Sequence, residues 1–206
     1  MPRIRRASAS RPSSIPRPSS VLKSDPGARP RLRVWDWPVR LMHWTLVTSV
    51  AGAWITRHHL DDVHHYWGYA ALTLVSVRLI WGFAGGRYAR FAQFVRPIRP
   101  TLAYLRSMLR GQAPRYIGHN PLGGWMVVAL ITCVGALGFT GWLYTTDMFW
   151  GYGWLANLHA GLGWTLLGLI ALHVSGVVFT SLKHRENLVK AMLNGHKPSA
   201  GPFDVD

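Results

Sequence analysis

The chain has 206 residues, of which 49% are hydrophobic, and its 23 Lys and Arg against 8 Asp and Glu give a formal net charge of +15. This length fits one domain, and the mean hydropathy is positive despite a strongly basic N-terminus, so the apolar residues are concentrated in segments. The single cysteine, Cys133, excludes an intramolecular disulfide and any metal site built on a pair of cysteines. We predict that Cys133 is a small apolar residue inside a helix.

Residues 1–33 form a tract rich in Ser, Pro and Arg that lacks the pattern of a packed core. We predict a disordered basic tail that could be attracted to anionic lipid. No apolar run precedes residue 38, so the tract is not expected to be a secretory signal peptide. The predicted domain occupies residues 34–197, and residues 198–206 form a C-terminal tail.

Four later segments are candidates for membrane spans, because about 20 apolar residues cross a hydrocarbon core about 30 Å thick. They run near 39–57, 64–84, 122–146 and 158–181. The first is short and the second contains Arg78, so hydropathy alone leaves these two open. The predicted fold is therefore an all-α integral membrane protein, a bundle of four transmembrane helices.

The basic residues predict the orientation of this bundle. Of the Lys and Arg, ten lie at or before residue 40, seven between 85 and 121, and four after 182, whereas the loops 57–63 and 147–157 contain Arg57 alone. Basic loops are retained on the cytoplasmic side during insertion, so both termini are expected to be cytoplasmic. Topology thus accounts for most of the positive charge, and we do not expect nucleic acid as a partner.

Four histidines lie in or beside the predicted spans, at positions 43, 64, 159 and 173. An ionisable residue in a membrane is costly, so a functional role is the default hypothesis. Depth pairs His43 with His173 near the cytoplasmic surface. Depth also pairs His64 with His159 near the opposite surface. On the last span, His159 and His173 are fourteen residues apart, which on a helix is about 21 Å along nearly the same face. Two imidazole pairs at two depths predict two haems, and bis-histidine ligation suits electron transfer rather than oxygen activation.

Neighbouring residues leave alternatives open. Gly68 and Gly163 each follow a predicted periplasmic ligand by four residues, where a missing side chain could admit a flat macrocycle or let two helices pack. Arg78 could pair with a haem propionate, or it could extend to the cytoplasmic headgroups. His65 is the rival of His64 as a ligand, but His64 has the glycine one turn later.

Short motifs follow one another through residues 34–197. They are Trp35-Asp-Trp-Pro-Val-Arg40 before His43-Trp44, His64-x-x-x-Gly68-Tyr69, Arg78-Leu-Ile-Trp-Gly-Phe83, Ala89-Arg-Phe91, Gly118-His-Asn-Pro-Leu122, His159 with His173, and Glu186-Asn-Leu-Val-Lys-Ala-Met192. This ordered set resembles the prokaryotic cytochrome b561 family, close to the b-type cytochrome subunits of nickel–iron hydrogenases. The order of the motifs is more specific than any single one of them.

The resemblance implies a four-helix bundle in the bacterial inner membrane that holds two b haems. It implies electron transfer between the quinone pool and a periplasmic redox protein, such as a c-type cytochrome or a hydrogenase-like subunit. It carries the ligand roles onto His43, His64, His159 and His173. Whether the chain acts alone or as a subunit of a membrane oxidoreductase is left open, and one alternative is a membrane anchor and electron-transfer subunit of a hydrogenase-like complex.

The other histidines support a different hypothesis. The run from His58 to His65 contains four histidines and two aspartates, which could bind zinc or copper and make the chain a metal-ion membrane protein. We favour wet loop residues for His58, His59 and His65. The remaining histidines, on the cytoplasmic side, are expected to be solvated: His119, His184 and His196. His119 or His184 could instead line a quinone pocket.

Overall fold

The computed structural model describes residues 31–59, 61–202 and 204–205. The predicted tail at 1–30 therefore lies outside the described residues. The described part is helical apart from one small two-stranded sheet and a short 3-10 turn at Arg87–Ala89. Its elements are β1 (Arg31–Arg33), α1 (Trp37–Thr56), α2 (Asp61–Ala84), α3 (Phe91–Phe94), α4 (Ile98–Leu109), α5 (Pro121–Tyr144), α6 (Gly153–His184), α7 (Leu188–Asn194) and β2 (His196–Pro198).

Side-chain caps determine where two of the long helices begin. The Asp36 carboxylate accepts a hydrogen bond of 3.0 Å from the backbone N–H of Val39 at the start of α1. The Asn120 side chain accepts one of 2.7 Å from the N–H of Gly123 at the start of α5. Both helices carry a proline in the first turn, where the missing N–H is harmless.

The four long helices coincide with the four predicted segments. Among the described residues, α2, α5 and α6 have the length and apolar composition needed to cross a membrane, with 24, 24 and 32 residues. The shorter α1, with 20 residues, is not in that set, so its role as a fourth span stays a prediction. The structure therefore shows an all-helical protein with three helices able to span.

The helices pack in a chain of neighbours, α1 on α2, α2 on α5 and α5 on α6. Their shared core includes Ala71, Val75, Cys133 and Leu166. Cys133 is a buried free thiol within α5, as predicted, and it donates a hydrogen bond of 3.6 Å to the carbonyl of Leu162. Along their described lengths, α1 and α6 do not pack closely backbone to backbone, although the rings of Trp54 and Trp164 meet across them at 5.3 Å. This leaves space between the first and last helices.

Short elements cover the end of the bundle at which both described termini lie. β1 pairs antiparallel with β2, so that Arg31 lies opposite Pro198 and Arg33 opposite His196. The last three residues of the predicted tail, 31–33, therefore form a strand against the residues that follow α7. The predicted C-terminal tail is also held in place, since Val205 forms a bridge with Tyr116. The sequence pattern missed this sheet because three-residue strands have no periodicity to detect.

One half-buried arginine, Arg115, connects the segments of this cap. Arg115 forms ion pairs with Glu186 and Asp204 and donates a hydrogen bond of 3.0 Å to the carbonyl of Pro198. Lys197 lies 3.8 Å from the Glu186 carboxylate and is also buried. The charges therefore join the loop before α5, the end of α6 and the C-terminal strand.

Replacing Arg115 with glutamine is expected to lower the stability of the cap. The change leaves two largely buried carboxylates without their main counter-charge, a loss of about 3–5 kcal/mol for a buried pair. The apparent melting temperature in detergent, measured by near-UV circular dichroism, should fall clearly below that of the wild type. Arg110→Gln, at an exposed position, is the matched control and should melt like the wild type. Equal melting of the two variants would contradict this role.

Candidate haem sites between the membrane helices

A cavity of about 350 Å³ lies between α1, α2, α5 and α6, at the end of the bundle opposite the cap. Its walls are mostly apolar, which suits a cofactor with a large hydrophobic face. Two histidines, two glycines and two tryptophans are among the residues that line it: His64, His159, Gly68, Gly163, Trp54 and Trp164.

Two of the predicted residues meet in this cavity. The ring centres of His64 and His159 are 6.1 Å apart, and the ring planes are inclined at 80°. An imidazole nitrogen binds a first-row metal ion at about 2 Å, so the ring centres of two trans ligands are separated by roughly 6 Å. The spacing of His64 and His159 fits one iron held between them.

Hydrogen bonds determine which nitrogen of each ring is free. His64 Nδ1 lies 2.8 Å from the carbonyl oxygen of Ala53, which can only accept, so Nδ1 donates. His159 Nδ1 lies 3.0 Å from Thr140 Oγ1, and the Thr140 hydroxyl donates its own proton to the carbonyl of Ala136 at 2.8 Å. His159 Nδ1 therefore donates as well. Both rings keep an unprotonated Nε2, the form that binds a metal ion.

The glycines beside these rings have different surroundings from the packing glycines of the bundle. A Cβ added at Gly68 would meet nothing within 4 Å, and one at Gly163 would lie 3.6 Å from Trp54. At Gly138, by contrast, an added Cβ would be 2.8 Å from that of Leu72. Close helix packing therefore explains Gly138 but not Gly68, which opens onto the cavity.

The histidines near residue 60 are not equivalent. His58 and His59 are exposed, as expected for a loop. His65 does not follow that prediction: it lies in the first turns of α2, is half-buried and lines the cavity. His64, rather than His65, faces His159 and has an acceptor for its Nδ1. Within the described ranges, no three His, Cys, Asp or Glu side chains are grouped as a metal ion would need.

The other two predicted residues lie nearer the capped end. His43 and His173 are half-buried on α1 and α6 and are close enough to interact electrostatically. The Nδ1 atom of His43 is buried and has no hydrogen-bond partner in the protein. This second pair is thus less fully positioned by protein hydrogen bonds than His64 and His159 are.

Arg78 is drawn into the protein. Its side chain is buried, its Nη2 donates a hydrogen bond of 3.0 Å to the Ala89 carbonyl, and its guanidinium lies 5.2 Å from the centre of the Phe91 ring. The alternative that Arg78 extends to lipid headgroups is therefore wrong. Its Nη1 is buried without a partner and remains available to an anion.

Several other polar atoms at the capped end are also buried without a hydrogen-bond partner. Buried polar groups nearly always have partners, so a group of unpartnered ones indicates bound water, an ion or a ligand. Three of them belong to cationic side chains, which favours an anionic ligand such as a carboxylate. Within the described residues they are Arg40 Nε, His43 Nδ1, Arg78 Nη1, Gln93 Oε1, His119 Nδ1 and Lys183 Nζ.

Sequence reasoning missed the position of His119. It was expected to be solvated, but its ring contacts the rings of both Trp35 and Phe94, each with its centre 4.7 Å away. Burial lowers the pKa of His119 to about 3, and the positive charges of Lys197 and Arg78 add to this effect. The imidazole is therefore neutral near pH 7. The expectation of solvation holds for His196, which is exposed, whereas His184 is half-buried.

Comparison with known proteins settles the family. The model of the family described as prokaryotic cytochrome b561 matches residues 34–195. The chain belongs to this family. Members are membrane-embedded b-type cytochromes, so this cytochrome carries haem b and transfers electrons, as the motifs implied.

Named relatives of this cytochrome b561 are distant but similar over most of their length. Three are named "Probable Ni/Fe-hydrogenase B-type cytochrome subunit". The protein from Rhodobacter capsulatus is 26% identical, with 82% of each chain covered. The one from Azotobacter vinelandii is 24% identical, with 79% of this chain and 86% of the relative covered, and the one from Bradyrhizobium diazoefficiens is 20% identical, with 82% and 87% covered. No solved structure matches.

Proposed function

We propose that this cytochrome is a di-haem electron carrier of the bacterial inner membrane, linking a periplasmic oxidoreductase to the quinone pool. The observation that carries the proposal is the His64–His159 pair, whose ring spacing of 6.1 Å and free Nε2 atoms suit one haem iron. The relatives' names make a hydrogenase-like subunit the favoured partner. A periplasmic c-type cytochrome is the alternative.

Each end of the bundle would hold one haem. His64 and His159 would hold the haem iron in the cavity, and Gly68 and Gly163 would leave room for the macrocycle. His43 and His173 would be the ligands nearer the cap. Arg78 is the propionate partner there, because its Nη1 is buried, cationic and unpartnered.

Haem b, when bound, supplies a one-electron carrier whose potential the protein adjusts. Two histidines would hold each iron, an arrangement that suits electron transfer rather than oxygen activation. Ala53 and Thr140 hold the imidazole rings in the orientation that ligation needs, and the apolar walls keep water away. The two ligands on α6 are separated by about 21 Å of helix, so the two sites lie at different depths of the membrane.

Charge determines the proposed orientation. In this proposal α1 is the fourth span, and the capped end, with the basic segment 85–121, faces the cytoplasm. The His64–His159 end then faces the periplasm, where the partner oxidoreductase exchanges electrons. Quinone would react near the cytoplasmic end, where protons are available.

Haem content tests the proposal first. Pyridine haemochrome analysis of the detergent-purified protein should give two b haems per chain. His64→Ala and His173→Ala should each reduce this number, and His59→Ala, at an exposed loop position, should leave it unchanged. Protein made with ample haem that binds none, or variants of His64 and His173 that keep both haems, would contradict the ligand assignment.

Filling the cavity at Gly68 should remove one haem without unfolding the protein. A leucine at this position points into open space, since an added Cβ meets nothing within 4 Å. We expect Gly68→Leu to keep a wild-type helical circular-dichroism spectrum and bind half the haem. Gly161→Leu is the control, because Gly161 has equally open surroundings but does not line the cavity. Full haem content in Gly68→Leu would place the haem elsewhere.

Thr140→Val should raise the midpoint potential of one haem. The change removes the acceptor of the His159 Nδ1–H and makes the imidazole a weaker donor to ferric iron. A lost hydrogen bond of about 1 kcal/mol corresponds to about 40 mV for one electron. Spectroelectrochemical titration measures both haems. Thr165→Val, which removes an exposed hydroxyl bonded to its own helix, should shift neither.

A further inference from the structure

His119 occupies a built position at the capped end of the bundle. It lies in the loop before α5, one residue before the Asn120 cap, so the start of that helix determines its place. The rings of Trp35 and Phe94 both contact its ring. Two aromatic contacts leave the ring few alternative orientations.

The Nδ1 atom of this ring lacks a partner within the protein. It is buried, and no described group lies within hydrogen-bonding distance and geometry. Leaving a buried polar atom unpaired costs about 1–3 kcal/mol, which is hard to reconcile with a ring held so firmly. A neutral imidazole offers one N–H donor and one acceptor, so His119 can donate to a ligand oxygen.

The charges around His119 favour an anion as that ligand. The cations Lys197 and Arg78 act on it electrostatically, and no carboxylate is among the groups that do. Of the nearby carboxylates, Glu186 is paired with Arg115, whereas Asp36 accepts from the indole N–H of Trp81 and also acts electrostatically on Arg78. Around His119 itself the potential is positive, which favours an anion there.

Arg78 supplies the second donor. A path of aromatic contacts links it to His119: its guanidinium lies 5.2 Å from the Phe91 ring, Phe91 lies 5.6 Å from Phe94, and Phe94 contacts His119. Its Nη1 is buried and unpartnered like His119 Nδ1. Arg78 also acts electrostatically on His119, so its Nη1 and His119 Nδ1, which donates in one neutral tautomer, belong to the same region of the structure, together with the proposed ligands His43 and His173.

We propose that His119 and Arg78 each donate a hydrogen bond to one propionate carboxylate of the haem at the capped end. His119 is then a positioning residue, because it holds the cofactor's side arm rather than the iron. The inference rests on the proposed di-haem function. A quinone carbonyl could also accept from His119, but as a neutral group it would not compensate the buried charge of Arg78, so the charges favour the propionate.

The test compares His119→Phe with His119→Gln in the full-length protein. Phenylalanine keeps the aromatic packing and removes the donor, whereas glutamine retains an N–H donor. Without His119 the propionate charge is less compensated and stabilises the ferric state. We expect the equilibrium constant for reduction of one haem to fall about tenfold, about 59 mV for one electron, while the other haem is unchanged. The potential of the shifted haem should also become more dependent on pH between 6 and 8.

Rescue and coupling complete the test. The haem potential in His119→Gln should stay close to that of the wild type. Arg78→Gln should lower the potential of the same haem that His119→Phe lowers. Combining Arg78→Gln with His119→Phe should be non-additive, because two donors to one carboxylate are coupled. Loss of that haem from His119→Phe but not from His119→Gln would also support the proposal. His196→Phe, at an exposed position of the same end, is the control.

Distinct results would overturn the inference or the function beneath it. Unchanged potentials in His119→Phe, with two haems bound, would overturn the inference alone. The same potentials with quinol oxidation lost would assign His119 to quinone instead and also overturn it. Loss of haem from both His119 variants would reduce the residue to packing. A wild-type protein without b haem would overturn the proposed function itself.

Discussion

The candidate site depends on the hydrogen bonds that hold two imidazole rings inside an apolar bundle. His159 donates to Thr140, whose hydroxyl is committed to the carbonyl of Ala136, and His64 donates to the carbonyl of Ala53. These partners are backbone carbonyls and a helix hydroxyl, so they need no charged residue in the membrane. They determine the tautomer and the orientation of each ring together, which is what a metal ligand requires before the metal ion arrives.

The two ends of the bundle offer a cofactor different surroundings. At the cavity end, both rings have neutral acceptors and the walls are apolar. At the capped end, buried cationic atoms of Arg40, Arg78 and Lys183 have no partners in the protein. A cofactor with an apolar body and carboxylate arms would suit either environment, and at the capped end its carboxylates would compensate the buried cations.

The cap connects this chemistry to the rest of the chain. The charges of Arg115, Glu186 and Asp204 join segments that are far apart in sequence. β1 and β2 bring the residues before α1 against those after α7, and Trp35 in this region packs on His119. The short elements therefore also position Trp35 against the ring of His119.

The amino-acid sequence by itself determined the four long helices, the position of Cys133 and the family, because apolar runs, helical spacing and ordered motifs are local signals. It also predicted by depth that His64 would meet His159, since each histidine lies near the start of its helix and the alternating direction of the spans brings those two starts to the same end of the bundle. It did not determine the inward course of Arg78, the burial of His119 or the pairing of residues 31–33 with 196–198. Those features depend on contacts between segments that are distant in sequence. Whether a side chain faces lipid or the protein interior depends on the partners near it, and only the tertiary structure brings those partners within reach.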